Sequence, residues 1–144
     1  MERKIVSSPG VARFFKIFAI IWIVLSIVIF IAFFDIVMIM IWIIASGIVF
    51  YFGFAIKGYK IEIDDNYLFI TESGFETIIP VTQIAEIKEV IWSNPHIITI
   101  QFKGETKFGK SIRFYPAKFL TVGNFRHSES YNIIMSKIET VEQK

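Results

Sequence analysis

Residues 17–56 are an apolar stretch that contains a single charged residue, Asp35, and no Pro, Lys or Arg. One helix of that length would be about 60 Å long at ~1.5 Å per residue, roughly twice the ~30 Å hydrocarbon core of a bilayer. One span is therefore too few, and two spans fit. The stretch predicts a transmembrane helical hairpin of residues 17–34 and 36–56, with Asp35 at the turn.

The charged residue and the small residues of this hairpin can each be interpreted as functional or as structural. Asp35 could be a functional carboxylate within the membrane, but its place between two similar apolar runs favours a turn in the far headgroup layer. Ala45, Gly47 and Gly53 could form a small-residue face for helix packing. We favour packing against the first span, and contact with a second protein is the alternative.

Basic residues flank the hairpin only at its two ends. They are Arg3, Lys4, Arg13 and Lys16 before it and Lys57 and Lys60 after it. The positive-inside rule then places both termini in the cytoplasm, with residues 1–16 as a basic cytoplasmic arm. An aromatic belt is expected at that surface, from Phe14, Phe15, Phe18, Tyr51, Phe52, Phe54 and Tyr59. Ser8 and Pro9 are a helix-start signal.

The rest of the chain, residues 57–144, reads as a small cytoplasmic domain with no net charge, since eleven Lys or Arg balance eleven Asp or Glu. Apolar and polar residues alternate, which is typical of half-buried strands. Six strands are predicted, over residues 59–64, 67–71, 75–79, 84–92, 96–103 and 110–115. The pattern of residues 117–127 is ambiguous, and a seventh strand within 117–122 is left open. These short strands, separated by turns, predict a small antiparallel barrel of six or seven strands in a mainly β, α+β domain.

A C-terminal helix follows the strands and is expected to cap the barrel. Ser128 is its predicted N-cap. One apolar face then recurs at helical spacing, through Tyr131, Ile134, Met135, Ile138 and Val141.

This order of elements resembles the bacterial pleckstrin-homology-like (PH-like) membrane proteins, in which a two-helix hairpin precedes a small barrel. The strand-turn-strand of residues 59–70, the strand-Pro-polar-polar-Ile step of residues 78–84 and the terminal helix carry the resemblance. It implies a binding or scaffolding module anchored in the bacterial inner membrane, with no shared active-site residues.

Motifs for catalysis or cofactor binding are lacking. His96 and His127 fall in different predicted elements, the chain has no cysteine, and it carries no phosphate-binding loop or hydrolase motif. We therefore expect no enzyme activity, metal, cofactor, nucleic acid or small-molecule substrate.

Two surface features could bind a partner. Lys103, Lys107, Lys110, Arg113 and Lys118, opposed by Glu105, give a net charge of +4 over residues 103–118. They could meet anionic lipid headgroups at ~1 kcal/mol each, or they could be solvated lysines that block strand pairing at an edge. Trp92 could be an exposed anchor or a buried residue at the barrel end.

The leading prediction is a non-enzymatic, multi-pass inner-membrane protein that presents a scaffolding domain at the cytoplasmic face. It would act as an accessory subunit of a larger complex, and its partners would be membrane lipids and another membrane protein or a second copy. The alternative is a reader of anionic headgroups through the hairpin at 103–118.

Overall fold

A computed structural model describes residues 3–32, 36–54, 56–91, 96–118 and 126–142. The chain divides into two compact units. The first contains Met1–Pro9 and Gly58–Lys144, and the second contains Gly10–Lys57. The N-terminal arm therefore clusters with the C-terminal part of the chain rather than with the helices that follow it.

Two apolar helices make up the second unit, α1 (Pro9–Ala32) and α2 (Ile36–Phe54). The start signal is confirmed, because α1 begins at Pro9. Within the described residues one helix, over Pro9–Ile31, is long and apolar enough to cross a membrane, and the apolar run described in α2, Ile39–Tyr51, is shorter. Asp35, the expected turn residue, lies outside the described residues.

The two helices share a seam whose side chains recur with a heptad-like spacing. The less exposed positions are Phe15, Ala19, Trp22, Ser26 and Ile29 in α1, and Ile39, Trp42, Ser46, Val49 and Gly53 in α2. Spacings of three and four residues keep one face of each helix against the other. Away from the seam the side chains are aliphatic and exposed; Ile21 and Ile43, for example, are 59% and 66% exposed. Such a surface suits hydrocarbon better than water.

Seven antiparallel strands and a helix make up the first unit. One sheet has the order β1 (Lys4–Ile5), β2 (Lys60–Ile63), β3 (Tyr67–Glu72), β4 (Phe75–Pro80). The other has the order β5 (Ile84–Val90), β6 (Ile97–Thr106), β7 (Gly109–Phe114), and α3 (Glu129–Glu142) ends the chain. The six predicted strands correspond to β2–β7. Strand β6 ends three residues later than predicted, so a tight turn replaces the longer loop expected between residues 103 and 110.

Strand β1 is the one that the sequence analysis missed. Lys4 pairs with Ile63 and Ile5 with Glu62, and the Val6 N–H donates to the Ile61 carbonyl at 2.9 Å. Val6 is fully buried. The seventh strand thus comes from the N-terminal arm. Of the candidate seventh strand at 117–122, residues 117 and 118 are described and lie outside any strand, and the remainder lies outside the described residues.

The predicted closed barrel is wrong, because the strands form two separate sheets. Among the described residues, the only pairing between the sheets is an isolated bridge of Ser7 with Pro116. Pro80 ends β4 and a 3-10 turn, Val81–Gln83, leads to β5. Pro80 pairs with Tyr67, and the Val81 N–H donates to the Asn66 carbonyl at 2.8 Å before the chain turns into the second sheet.

The predicted helix face is confirmed in α3. Ile134 is fully buried, and Tyr131, Met135, Ile138 and Val141 pack against the core that both sheets share. Ser128 is the N-cap, because its hydroxyl accepts the Tyr131 N–H at 3.2 Å. Tyr59, in contrast, is not part of an aromatic belt: it is 6% exposed and belongs to this core.

Candidate functional site

Four of the five predicted basic residues lie on the β6–β7 hairpin, whose turn is held by its own hydrogen bonds. The Thr106 hydroxyl donates to the Gly109 carbonyl at 2.7 Å and accepts the Phe108 N–H at 3.2 Å. Gly109 has φ +85, which a side chain would strain. Lys103, Lys107 and Lys110 are exposed around this turn, and so is Glu105.

The other two residues of the predicted patch lie away from this turn. Arg113 pairs across the hairpin with Thr99, in the middle of the ladder. Lys118 lies beyond β7, where its ammonium donates to Glu129 Oε2 at 2.6 Å. That hydrogen bond and the charge of Lys118 lower the pKa of the Glu129 carboxyl. Lys118 is thus paired with the first residue of α3, and the net charge near the hairpin turn is smaller than the sequence suggested.

A second turn, between β3 and β4, lies beside the first. Ser73 and Gly74 have φ +52 and +88, as in a tight two-residue hairpin turn. The next residue, Phe75, is 71% exposed. The Lys107 Nζ atom lies 5.9 Å from the centroid of the Phe75 ring. The two turns therefore place an aromatic ring and a cation together. The sequence gives no sign of this pair, because the two residues are 32 positions apart.

The β6–β7 hairpin is also attached to the hydrophobic core. The Phe108 ring packs edge-on against Tyr59 at 5.4 Å between centroids. Tyr59 directly precedes β2, and the chain passes from there to α2 through residues 55–58. The β6–β7 turn thus lies near Tyr59, at the end of β2 where the chain enters the first unit, which is called the β unit below.

A row of three apolar side chains and one glutamate, called the apolar row below, crosses the outer face of the four-stranded sheet. The register aligns Ile5, Glu62, Phe69 and Ile78 across its four strands. Ile5 and Ile78 are each 53% exposed. The Arg3 guanidinium covers Phe69 at 3.7 Å from the ring centroid and also donates to Glu76 at 2.9 Å. Ile78 and Ile5 thus remain open to a partner, while Phe69 is covered.

Both histidines converge on one buried carboxylate, Glu89 in β5. Its side chain is fully buried, with Oε1 3.2 Å from His96 Nδ1 and Oε2 2.9 Å from His127 Nδ1. The Ser128 N–H donates to the same carboxylate at 3.0 Å. A carboxylate only accepts, so each Nδ1 carries the hydrogen. The His127 ring also stacks on Tyr131 at 4.2 Å.

This cluster ties the start of β6 and the N-terminus of α3 to β5. It was missed because Glu89, His96 and His127 belong to separate elements and share no periodic spacing. In the described part of the chain no group of three His, Asp or Glu side chains is arranged to hold a metal ion. The hydrogen bonds of Glu89 to His127 and to the Ser128 N–H hold the N-terminus of α3 against β5.

The predicted helix-packing residues occupy different faces of α2. A Cβ atom at Gly53 would lie 2.7 Å from the Ala19 Cβ and 3.1 Å from the Phe15 carbonyl oxygen, so the seam requires glycine there. Gly47 is exposed with open space around it, and Ala45 is half-buried. Trp92, the other predicted contact, lies outside the described residues.

An apolar cleft lies further along the seam. It has a volume of about 240 Å³ and is lined by Ser26, Phe30, Ile39 and Trp42, among others. The Trp22 indole donates to the Ser46 hydroxyl at 3.2 Å, and the Ser26 hydroxyl donates to the Trp22 carbonyl at 2.7 Å. The polar groups of the seam are thus satisfied within the helix pair, as an apolar surrounding requires.

Comparison with known proteins adds no relative: no protein-family model, curated protein or solved structure matches this chain.

Proposed function

We propose that this chain is a non-enzymatic protein of the bacterial inner membrane whose two helices cross the bilayer as a hairpin, with both termini in the cytoplasm. The pairing of β1 with β2 carries the proposal. Strand β1 precedes α1 and β2 follows α2, and the two are hydrogen-bonded in one sheet. If α1 crosses the bilayer, the chain must cross again before β2, because both strands have to meet on one side.

Helix α2 is the segment available for the return. It has 19 residues, or about 28 Å at ~1.5 Å per residue, close to the ~30 Å hydrocarbon core. The flanking basic residues then favour the cytoplasm for the β unit.

We further propose that the β unit is PH-like. Sequential antiparallel sheets of four and three strands, followed by one helix against the shared core, are in keeping with the resemblance seen in the sequence. In that case the helical hairpin is inserted between the first and second strands of the domain, and the strand at residues 60–63 is the second one.

The function that follows is scaffolding, with another membrane protein as the partner and this chain as an accessory subunit. The apolar row on the outer face of the four-stranded sheet supports this, because exposed aliphatic side chains beside an arginine are typical of protein interfaces. Ile78 lies on β4, the edge strand, where a partner would have access.

Topology can be tested with single cysteines, since the natural chain contains none. One cysteine is added before Met1, one replaces Asp35 at the expected turn, and one replaces Glu139 in α3. In intact cells an impermeant maleimide should label only the turn position. Labelling of one end alone without lysis contradicts the hairpin, and labelling of both ends contradicts the cytoplasmic orientation.

The partner can be tested by affinity purification in mild detergent followed by mass spectrometry. A membrane protein should co-purify with the full chain and be lost from the Ile78→Glu variant. Thr82→Glu is the matched control, because Thr82 is exposed in the 3-10 turn after β4 and away from the apolar row. Equal recovery from both variants would argue against this surface as the docking site.

The second candidate is the headgroup reader, favoured by the lysines around the β6–β7 turn. Exposed charges are screened beyond ~8–10 Å at physiological ionic strength, so such binding should weaken with salt. Replacing Lys103, Lys107 and Lys110 by Gln should abolish the salt-dependent part of vesicle binding. If the wild type and the triple variant bind anionic vesicles equally at low salt, the headgroup-binding hypothesis is wrong.

A further inference from the structure

We infer that Phe75 and Lys107 form a membrane-interface anchor, in which the phenyl ring enters the headgroup layer and the ammonium pairs with a lipid phosphate. The inference rests on the proposed function, since it requires that the helices lie in the bilayer. It adds a second membrane contact, made by the β unit and not by the helices.

The exposure of Phe75 is the first observation. A phenylalanine that is 71% exposed contributes little to the core, and it follows a turn whose backbone, with φ +52 and +88, is fixed by the hairpin. The ring is thus presented by a defined element. The other turn is equally defined by the two Thr106 hydrogen bonds. Little conformational freedom would be lost on binding.

The tether is the second observation. Lys60 begins β2 and pairs with Thr71, next to the turn that leads to Phe75. Only residues 55–59 separate β2 from the end of α2. Five residues span at most about 18 Å when fully extended. A helix end at the membrane surface therefore keeps this end of the sheet within reach of the headgroups.

The chemistry of the pair selects lipid over protein as the occupant. Among the described residues of the two turns, Phe75 is the one large apolar side chain that is strongly exposed, whereas a protein interface needs a cluster of them. A single ring next to a flexible ammonium matches the headgroup layer, where aromatic and basic side chains concentrate. Glu72 and Glu105 on the same turns limit the net positive charge, so the ring must contribute as well as the lysine.

The experiment uses a fluorescent label on the full chain in vesicles. Ser73→Cys lies in the turn two residues before Phe75, keeps both the ring and the ammonium, and carries an environment-sensitive dye. The protein is reconstituted in phosphatidylcholine containing a minor fraction of phosphatidylglycerol. Lipids with a headgroup nitroxide should quench this dye severalfold more than a dye at Thr82→Cys, which lies after the opposite end of β4. Ser73 is exposed, so the substitution should leave the circular dichroism spectrum unchanged.

The ring and Lys107 are tested with the same label. Phe75→Ser should lower the quenching at position 73 to that at position 82. Because one basic residue near an anionic surface is worth ~1 kcal/mol, Lys107→Gln should lower the equilibrium constant for binding of the two turns to the bilayer surface about fivefold. Equal quenching at positions 73 and 82 overturns the anchor. Quenching that is unaffected by Lys107→Gln overturns the role of the lysine. If alkaline carbonate extracts the protein from the vesicles, it is the membrane hairpin of the proposed function that fails.

Discussion

Removal of the Glu89 carboxylate should release the N-terminus of α3. In Glu89→Ala the Ser128 N–H, in a residue that is 3% exposed, loses its acceptor, and His96, 5% exposed, loses its side-chain partner. A buried polar group left unsatisfied costs about 1–3 kcal/mol. Two such groups, with the vacated volume, should lower the free energy of unfolding by about 3–5 kcal/mol.

Two further variants separate this effect from a general loss of charge on β5. Glu89→Gln keeps one acceptor oxygen and the side-chain volume, so it should cost only about 1–2 kcal/mol. Glu86→Ala removes an exposed carboxylate that pairs with Lys88 at 2.9 Å on the same strand. An exposed pair of this kind is worth about 0–1 kcal/mol.

The measurement is pulse proteolysis of the full chain in mild detergent over a urea series, with hydrogen exchange of the amides in residues 126–142. A loss of 3 kcal/mol corresponds to roughly a hundredfold faster exchange in α3 when exchange requires unfolding. If Glu89→Ala is no less stable than Glu86→Ala, the carboxylate does not position the helix and the reasoning is refuted.

Three more predictions test other contacts. Val6→Asp should unfold the β unit, because an unpaired charge at a fully buried site costs several kcal/mol of a total free energy of unfolding of ~5–15 kcal/mol. Ile5→Asp, at a 53% exposed site, should be tolerated in the same urea series. Gly53→Leu should force the helices apart, seen as a longer distance between spin labels on α1 and α2, and an unchanged distance would contradict the close seam. The pKa of Glu129 should be raised towards that of an unpaired glutamate by Lys118→Gln in an NMR titration. Because the pKa of Glu129 is lowered in the folded state, the pair stabilises the fold at pH values above the unfolded pKa of about 4.3 and loses that effect as the pH falls. Identical titration curves for the wild type and Lys118→Gln would show that Lys118 does not lower this pKa.

Local patterns were sufficient for most of the elements. Alternation over residues 59–115 located β2–β7, and the apolar spacing after Ser128 located α3 with its buried face. These signals are readable because a strand or helix that buries one face must repeat apolar residues every two or every 3.6 positions. The long apolar stretch likewise predicted the two helices.

The sequence could not reveal β1 or the open arrangement of the sheets. Two residues, Lys4 and Ile5, are too few to show a period, and their partner strand lies more than fifty positions away. Whether a sheet closes depends on which edges meet, and here the chain leaves one sheet at Pro80 and enters the other at Ile84. Both are properties of long-range pairing, which local composition does not encode.

The candidate sites divide in the same way. Composition and charge identified the lysines of the β6–β7 hairpin, because a run of basic residues is visible in the sequence. The fold alone decided that Lys118 pairs with Glu129, that Lys107 lies beside Phe75, and that both histidines meet on Glu89. Side chains from separate elements become neighbours only when those elements pack on a common core, so the sequence determined which residues were available and the tertiary structure determined which of them act together.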